Sequence, residues 1–102
     1  LLALSRAMAI EFAPDNIRVN AVLPGAVDTP MLRAGFHRGR ANEATEEEQL
    51  AALAAKTVNG RVADPAEIAS VIFFMAAPCQ SSFITRQGLL VVGGATCRLS
   101  TE

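Results

Sequence analysis

Nine Lys and Arg against ten Asp and Glu leave the 102-residue chain with a formal charge of −1, so no cationic surplus exists to hold nucleic acid or an anionic membrane. At 51% hydrophobic and 19% charged residues, the composition excludes disorder and asks for a packed core. One small domain is the ceiling, and a chain this short buries only about 60–70% of its unfolded surface.

Residues 1–12 place Leu1, Leu4, Met8 and Phe12 on one helical stripe suited to burial, and Ala3, Ala7 and Ala9 raise the helix propensity. Pro14, Asp15 and Asn16 end it. Residue 1 already reads as helix interior with no N-cap and no initiating Met, so the natural chain is expected to begin upstream. Residues 17–23, with Ile17, Val19, Ala21 and Leu23 in alternation, predict a strand that Pro24-Gly25 stops. Periodicity then fails, and Gly35, Gly39 and the basic Arg33, His37, Arg38 and Arg40 make residues 24–44 read as a long loop. Arg33, Arg38 and Arg40 are candidates to meet an anionic substrate, and His37 reads as an exposed loop residue.

Thr45 with Glu48 forms a capping box for a one-sided helix over 45–58, closed by Asn59-Gly60 in a left-handed stop. Asp64-Pro65-Ala66-Glu67 is a second capping box with Pro at the first helical position. It opens a largely buried helix over 65–77, striped by Ile68, Val71, Ile72 and Met75 and ended by Pro78. A polar turn at 80–82 leads to a buried strand over 88–92 before Gly93-Gly94. Helices around parallel strands make the fold class α/β. Two strands alone cannot bury both faces of a sheet and each exposes an edge, so the segment reads as incomplete as a stand-alone domain.

The longest apolar run, 71–77, is far short of the roughly 20 residues a bilayer span needs. The N-terminal apolar stretch lacks the basic leader of a signal peptide. Cys79 and Cys97 form neither a redox pair nor a zinc set. Two reduced thiols fit a cytoplasmic protein.

The run Asn16-Ile17-Arg18-Val19-Asn20-Ala21-Val22-Leu23-Pro24-Gly25-Ala26-Val27-Asp28-Thr29-Pro30-Met31 closely resembles the sixth strand and following loop of the short-chain dehydrogenase/reductase family. Leu4-Ser5-Arg6-Ala7-Met8-Ala9 resembles the helix after that family's Tyr-x-x-x-Lys pair. Gly60-Arg61 and Asp64-Pro65-Ala66-Glu67-Ile68-Ala69 resemble its penultimate helix, and Phe83-Ile84-Thr85 with Gly93-Gly94-Ala95 frame its last strand. The ordered match over residues 1–96 implies the C-terminal part of a Rossmann-like, doubly wound parallel sheet, its last two strands with their helices.

The resemblance further implies binding of NAD or NADP by Pro24, Gly25, Val27 and Thr29. Val27 backbone groups would bond the nicotinamide carboxamide, and the Thr29 hydroxyl would add a contact. Met31 and Leu32 would begin the wall for an alcohol or ketone substrate, and the 45–58 helix would serve as its lid. A homo-oligomer, dimer or tetramer, would form through the last helix and strand. No nucleic acid or membrane partner is expected. Three departures stand out: Arg86 where the family usually has Gly, Val92 in place of an acid, and Ala77-Pro78-Cys79. If position 86 needs positive φ, Arg86 is strained.

The family's hydride transfer uses a Tyr, a Lys and a Ser, and none is assignable here: the chain has no Tyr, and its one Lys is Lys56. The expectation is therefore a segment of an NAD(P)-dependent oxidoreductase that is inactive by itself. The alternative is a degenerate, non-catalytic association module.

Overall fold

A computed structural model describes residues 1–38 and 45–95. The first helix, α1, spans Leu2–Phe12 and buries Ser5 and Ala9. The expected stripe is only partly covered, with Leu1 96% and Leu4 58% exposed and Met8 and Phe12 half-buried. The small side chains at 5 and 9 let the helix backbone approach its neighbours, and Leu2 lies over the sheet in the space that a side chain at Gly88 would fill. A 3-10 turn, Ala13–Asp15, follows and closes on Asn16 in the left-handed conformation.

Strand β1 runs Ala21–Pro24 and not 17–23. Residues 17–20 lie outside the ladder because their groups bond elsewhere, the Ile17 N–H to the Phe12 carbonyl and those of Val19 and Asn20 to the turn before β2. The Val19 N–H donates to Thr85 Oγ1 at 3.1 Å. The Asn20 side chain donates to the Ile84 carbonyl at 3.0 Å and accepts from the Gln87 N–H at 3.1 Å. Strand β2, Gly88–Val91, pairs parallel to β1 in the register Ala21 to Gly88 through Pro24 to Val91.

Residues 24–44 are not all loop: α2 occupies Pro30–Arg38. The signal for it was in plain sequence, since Thr29 before Pro30 is an N-cap followed by Pro at the first helical position. Helix α3 is Glu46–Ala54, capped by Thr45 accepting from the Glu48 N–H. It stops four residues short of Val58, because the Thr57 hydroxyl, buried, donates to the Ala54 carbonyl and accepts from the Arg61 N–H. Gly60 is left-handed as expected, φ +73°, but it lies six residues past Ala54 and turns the following loop, so it is not the stop of the helix, whose cap is the right-handed Ala55.

Helix α4, Pro65–Ala76, starts on the full Asp64/Glu67 capping box. Pro78 ends it and begins the single-turn α5, Pro78–Ser81, where a polar turn was expected. Only Met75 of α4 is buried; Ile72 and Phe73 are 53% and 67% exposed. Strand β2 is exposed too, Leu90 at 56%.

A single guanidinium ties these pieces together. Arg18 Nη1 donates to the carbonyls of Met75 (3.0 Å) and Ile84 (3.1 Å) and to Ser81 Oγ (3.2 Å), and Nη2 donates to the Ala76 carbonyl (3.2 Å). It thereby caps the carboxyl end of α4 with a cation, where the helix dipole favours one.

Two strands cover each other's edge and little more. Among the described residues the apolar core is Ala9 and Met75. The accessible surface is 7465 Å², against roughly 5,500 Å² expected of a compact chain of this mass. No described helix is long and apolar enough to cross a membrane.

Arg86 has φ 63°, so the strain expected there is present. The turn is held by the Arg86 N–H donating to the Val19 carbonyl at 2.9 Å. Arg86→Gly removes a left-handed penalty of about 1 kcal/mol, partly offset by the entropy glycine adds to the unfolded chain. A urea melt is expected to show the variant more stable by about 0.5 kcal/mol; equal or lower stability would mean the turn is not strained.

Candidate functional site

The carboxyl ends of parallel strands are where ligands bind in open α/β sheets, and β1 ends here on Pro24-Gly25. The Gly25 N–H donates to the Val91 carbonyl at 3.0 Å, drawing the turn onto the end of β2. A side chain at Gly25 would stand 3.1 Å from Val92 Cα. Any larger residue at position 25 would therefore push on Val92 at the inner side of the turn.

Beyond the turn, the chain makes one isolated parallel bridge, Val27 with Ala63. The Ala63 N–H donates to the Ala26 carbonyl at 3.0 Å, and the Asp28 N–H donates to the Ala63 carbonyl at 2.9 Å. Alternation in extended backbone then sends the Val27 N–H and C=O the other way, away from Ala63. Among the described residues neither has a hydrogen-bond partner.

Thr29 caps α2, its Oγ1 accepting from the Leu32 N–H at 3.2 Å, which leaves its proton to donate. All six residues assigned to the site from sequence, Pro24, Gly25, Val27, Thr29, Met31 and Leu32, line one open groove of about 670 Å³. The facing wall is α4 from its start to Ile72, with Pro65, Ile68 and Ile72. Sequence reading assigned Ile68 and Ile72 to a buried stripe; their i, i+4 spacing was visible, but not what they would face.

Arg33 is not available to an anionic substrate. Its Nε and Nη2 donate to the two Asp28 carboxylate oxygens at 2.8 and 3.0 Å, and its Nη1 donates to Glu46 Oε2 at 3.0 Å. These bonds hold the Asp28 carboxyl below its usual range and raise the guanidinium further. The trio fastens the amino ends of α2 and α3 to the loop after β1. The side chains of His37 and Arg38, and Arg40 and Cys97 entirely, lie outside the described residues; Cys79 is an exposed free thiol. No group of His, Cys, Asp and Glu able to hold a metal ion occurs among the described residues.

At the start of α4, Arg61 grips Glu67 in a forked pair at 2.6 and 2.9 Å, and Glu67 also accepts from the Asp64 N–H. Arg61, then the Asp64 N–H, draw the Glu67 carboxyl from 4.5 down to about 2. A depressed carboxylate stabilises the fold above its ordinary value and loses that contribution as pH falls through its folded value. Glu67→Gln is therefore expected to be less stable than the parent at neutral pH, with the gap closing between about pH 4.5 and 2. A pH-independent gap in urea melts would show that the pair's charge contributes nothing.

A sequence profile of the family described as "Enoyl-(Acyl carrier protein) reductase" matches residues 1–96. The chain is 37% identical over 101 residues to the short-chain dehydrogenase anuF of Penicillium roqueforti. The chain belongs to the short-chain dehydrogenase/reductase family. It covers 34% of that relative, which in turn matches 99% of this chain.

Among solved structures of the family, a short-chain dehydrogenase family protein from Francisella tularensis superposes with a TM-score of 0.88 at 28% identity, over 95% of this chain and 40% of its own. An actinorhodin polyketide ketoreductase solved with NADPH gives 0.80 at 33% identity, over 92% and 36%. The parallel pair β1–β2 with α4 crossing between is thus a piece of the Rossmann-like architecture of short-chain dehydrogenases/reductases.

Proposed function

We propose that the chain is the C-terminal segment of an NAD- or NADP-dependent oxidoreductase acting on an alcohol or ketone, and that the groove at the end of β1 receives the nicotinamide end of the cofactor. The observation that carries this reading is the unpaired Val27 peptide. A carboxamide needs one donor and one acceptor, and Val27 offers both from one extended residue that lines the groove. Pro24 and Gly25 form the adjoining edge, and the Thr29 proton can donate to the same ligand. When bound, the dinucleotide supplies or accepts the hydride.

This chain's part is positioning: Val27 and Thr29 orient, and Met31 and Leu32 keep water from the reacting face. Proton transfer to the substrate oxygen is not among its roles, since it has no Tyr, and Lys56 lies exposed past the end of α3. The segment by itself is therefore expected to be inactive. The exposed Phe73, Leu90 and Phe83 favour assembly into a homodimer or tetramer through the last helix and strand. Their exposure also supports the second reading, a non-catalytic association module, which the intact Val27 peptide argues against.

The test is Thr29 in a full-length short-chain dehydrogenase/reductase carrying this segment. Thr29→Val deletes one neutral hydrogen bond to the cofactor and is expected to weaken its affinity roughly 2- to 13-fold. Because the same oxygen caps α2, it also costs about 1 kcal/mol of stability. Thr29→Ser restores both, while Thr45→Val at the cap of α3 loses stability alone. Unchanged cofactor affinity in Thr29→Val would remove Thr29 from the binding site.

A further inference from the structure

We propose that the groove selects a bulky, uncharged, apolar carbonyl or alcohol compound and that Gly35 sets how far its body can extend along α2. This rests on the reading of the groove as the substrate side of an oxidoreductase site.

The groove's volume of about 670 Å³ lies within the usual range of about 300–1,000 Å³ for small-molecule sites. Of the described side chains that line it, only that of Thr29 is polar. A sugar or other polyol would bury several hydroxyls here against one partner, and each unpaired hydroxyl is costly. An anionic substrate fares no better. No described cation lines the groove, and the guanidinium nearest in sequence, Arg33, is already shared by two carboxylates.

Gly35 is the unusual member of the wall. Met31 lies one turn before it and Leu32 three residues before it, so the three share a face of α2. Glycine is a poor residue for a helix interior, and nothing in the backbone asks for it here, because its φ is not positive. A side chain built at this position meets no atom within 4 Å. The missing side chain is thus not demanded by packing; it leaves room in the groove for a ligand. Each atom added at position 35 subtracts from the groove and not from the core.

Ligand-observed saturation-transfer NMR on a full-length short-chain dehydrogenase/reductase carrying this segment, with oxidised NADP bound so that the cofactor's end of the groove is filled, tests this. The probes are 2-decalone, decalin-2-carboxylate and fructose at equal concentration. The expected result is transfer to 2-decalone, at least tenfold weaker binding of the carboxylate, and none of fructose. Gly35→Leu is expected to weaken 2-decalone at least tenfold and Gly35→Ala by less, with the helical circular dichroism of both kept or raised. Equal binding of the carboxylate would overturn the proposal. So would 2-decalone affinity within twofold in Gly35→Leu, which is the result that unspecific adsorption to exposed apolar surface gives. If 2-decalone binds as expected while Thr29→Val leaves cofactor affinity untouched, the substrate class stands and the cofactor reading falls.

Discussion

Arg18→Ala is expected to lower the stability of the fold by about 3–5 kcal/mol and move its urea midpoint far down. Four acceptors on three separate stretches, the end of α4, α5 and the turn before β2, are held by the one guanidinium. Hydrogen bonds from a charged donor contribute about 1.5–3 kcal/mol each; the Met75 and Ile84 carbonyls keep Ser81 Oγ and the Asn20 amide as donors when Arg18 is removed, so the loss is less than the sum of four. Allowing for non-additivity, the cost is about 3–5 kcal/mol. Stability for a chain of this size is of order 5–15 kcal/mol. Arg18→Lys keeps the positive charge at the helix end but brings one nitrogen in place of a fork, so it recovers less than half. Urea melts followed by circular dichroism separate the three. A parent-like midpoint in Arg18→Ala would mean that α4 and β2 are fixed in some other way.

Gly94→Ala is expected to cost about 2–5 kcal/mol. Gly94 has φ +78°, and a methyl there would lie 2.7 Å from Val58 Cβ. The left-handed conformation alone costs about 1–2 kcal/mol, and the overlap adds about 1–3 more because Val58 Cβ cannot rotate aside. The segment is also pinned from its neighbour: the Gly93 carbonyl accepts from the N–H groups of Val58 (2.9 Å) and Asn59 (3.2 Å). Gly60→Ala is the internal control. Gly60 has φ +73° with nothing within 4 Å, so it isolates the conformational part at about 1 kcal/mol. If the two variants are equally destabilised, the contact between Gly94 and Val58 carries no weight.

Local rules placed the elements whose ends are written in side chains. Thr45, Asp64-Pro65 and Pro78 start and stop helices through their own bonds, and the structure agrees at each. Thr29-Pro30 obeys the same rule, but the glycines and basic residues behind it have the composition of a loop and mask the helix. Strand β1 was misplaced for a different reason. Its preceding residues alternate like a strand, yet Thr85 and Arg86 take up the Val19 peptide from sixty and more residues away, and Asn20 spends its side chain on Ile84; no local pattern carries that. Burial was the least legible property. Leu1, Leu4, Ile72 and Phe73 are apolar at helical spacing, but two strands have too little area to cover them. That six particular residues belong together was legible through the family resemblance, and they line one groove. The isolated bridge at Ala63 was not, and it is what leaves the Val27 peptide unpaired.

The crystal structure of a full-length protein carrying this segment, with NADP bound, tests the central claim most directly. The Val27 nitrogen and carbonyl oxygen are expected within hydrogen-bonding distance of the carboxamide, about 2.7–3.2 Å, with the Val27–Ala63 bridge retained behind them. A carboxamide held by other groups, with the Val27 peptide still unpaired, would contradict it.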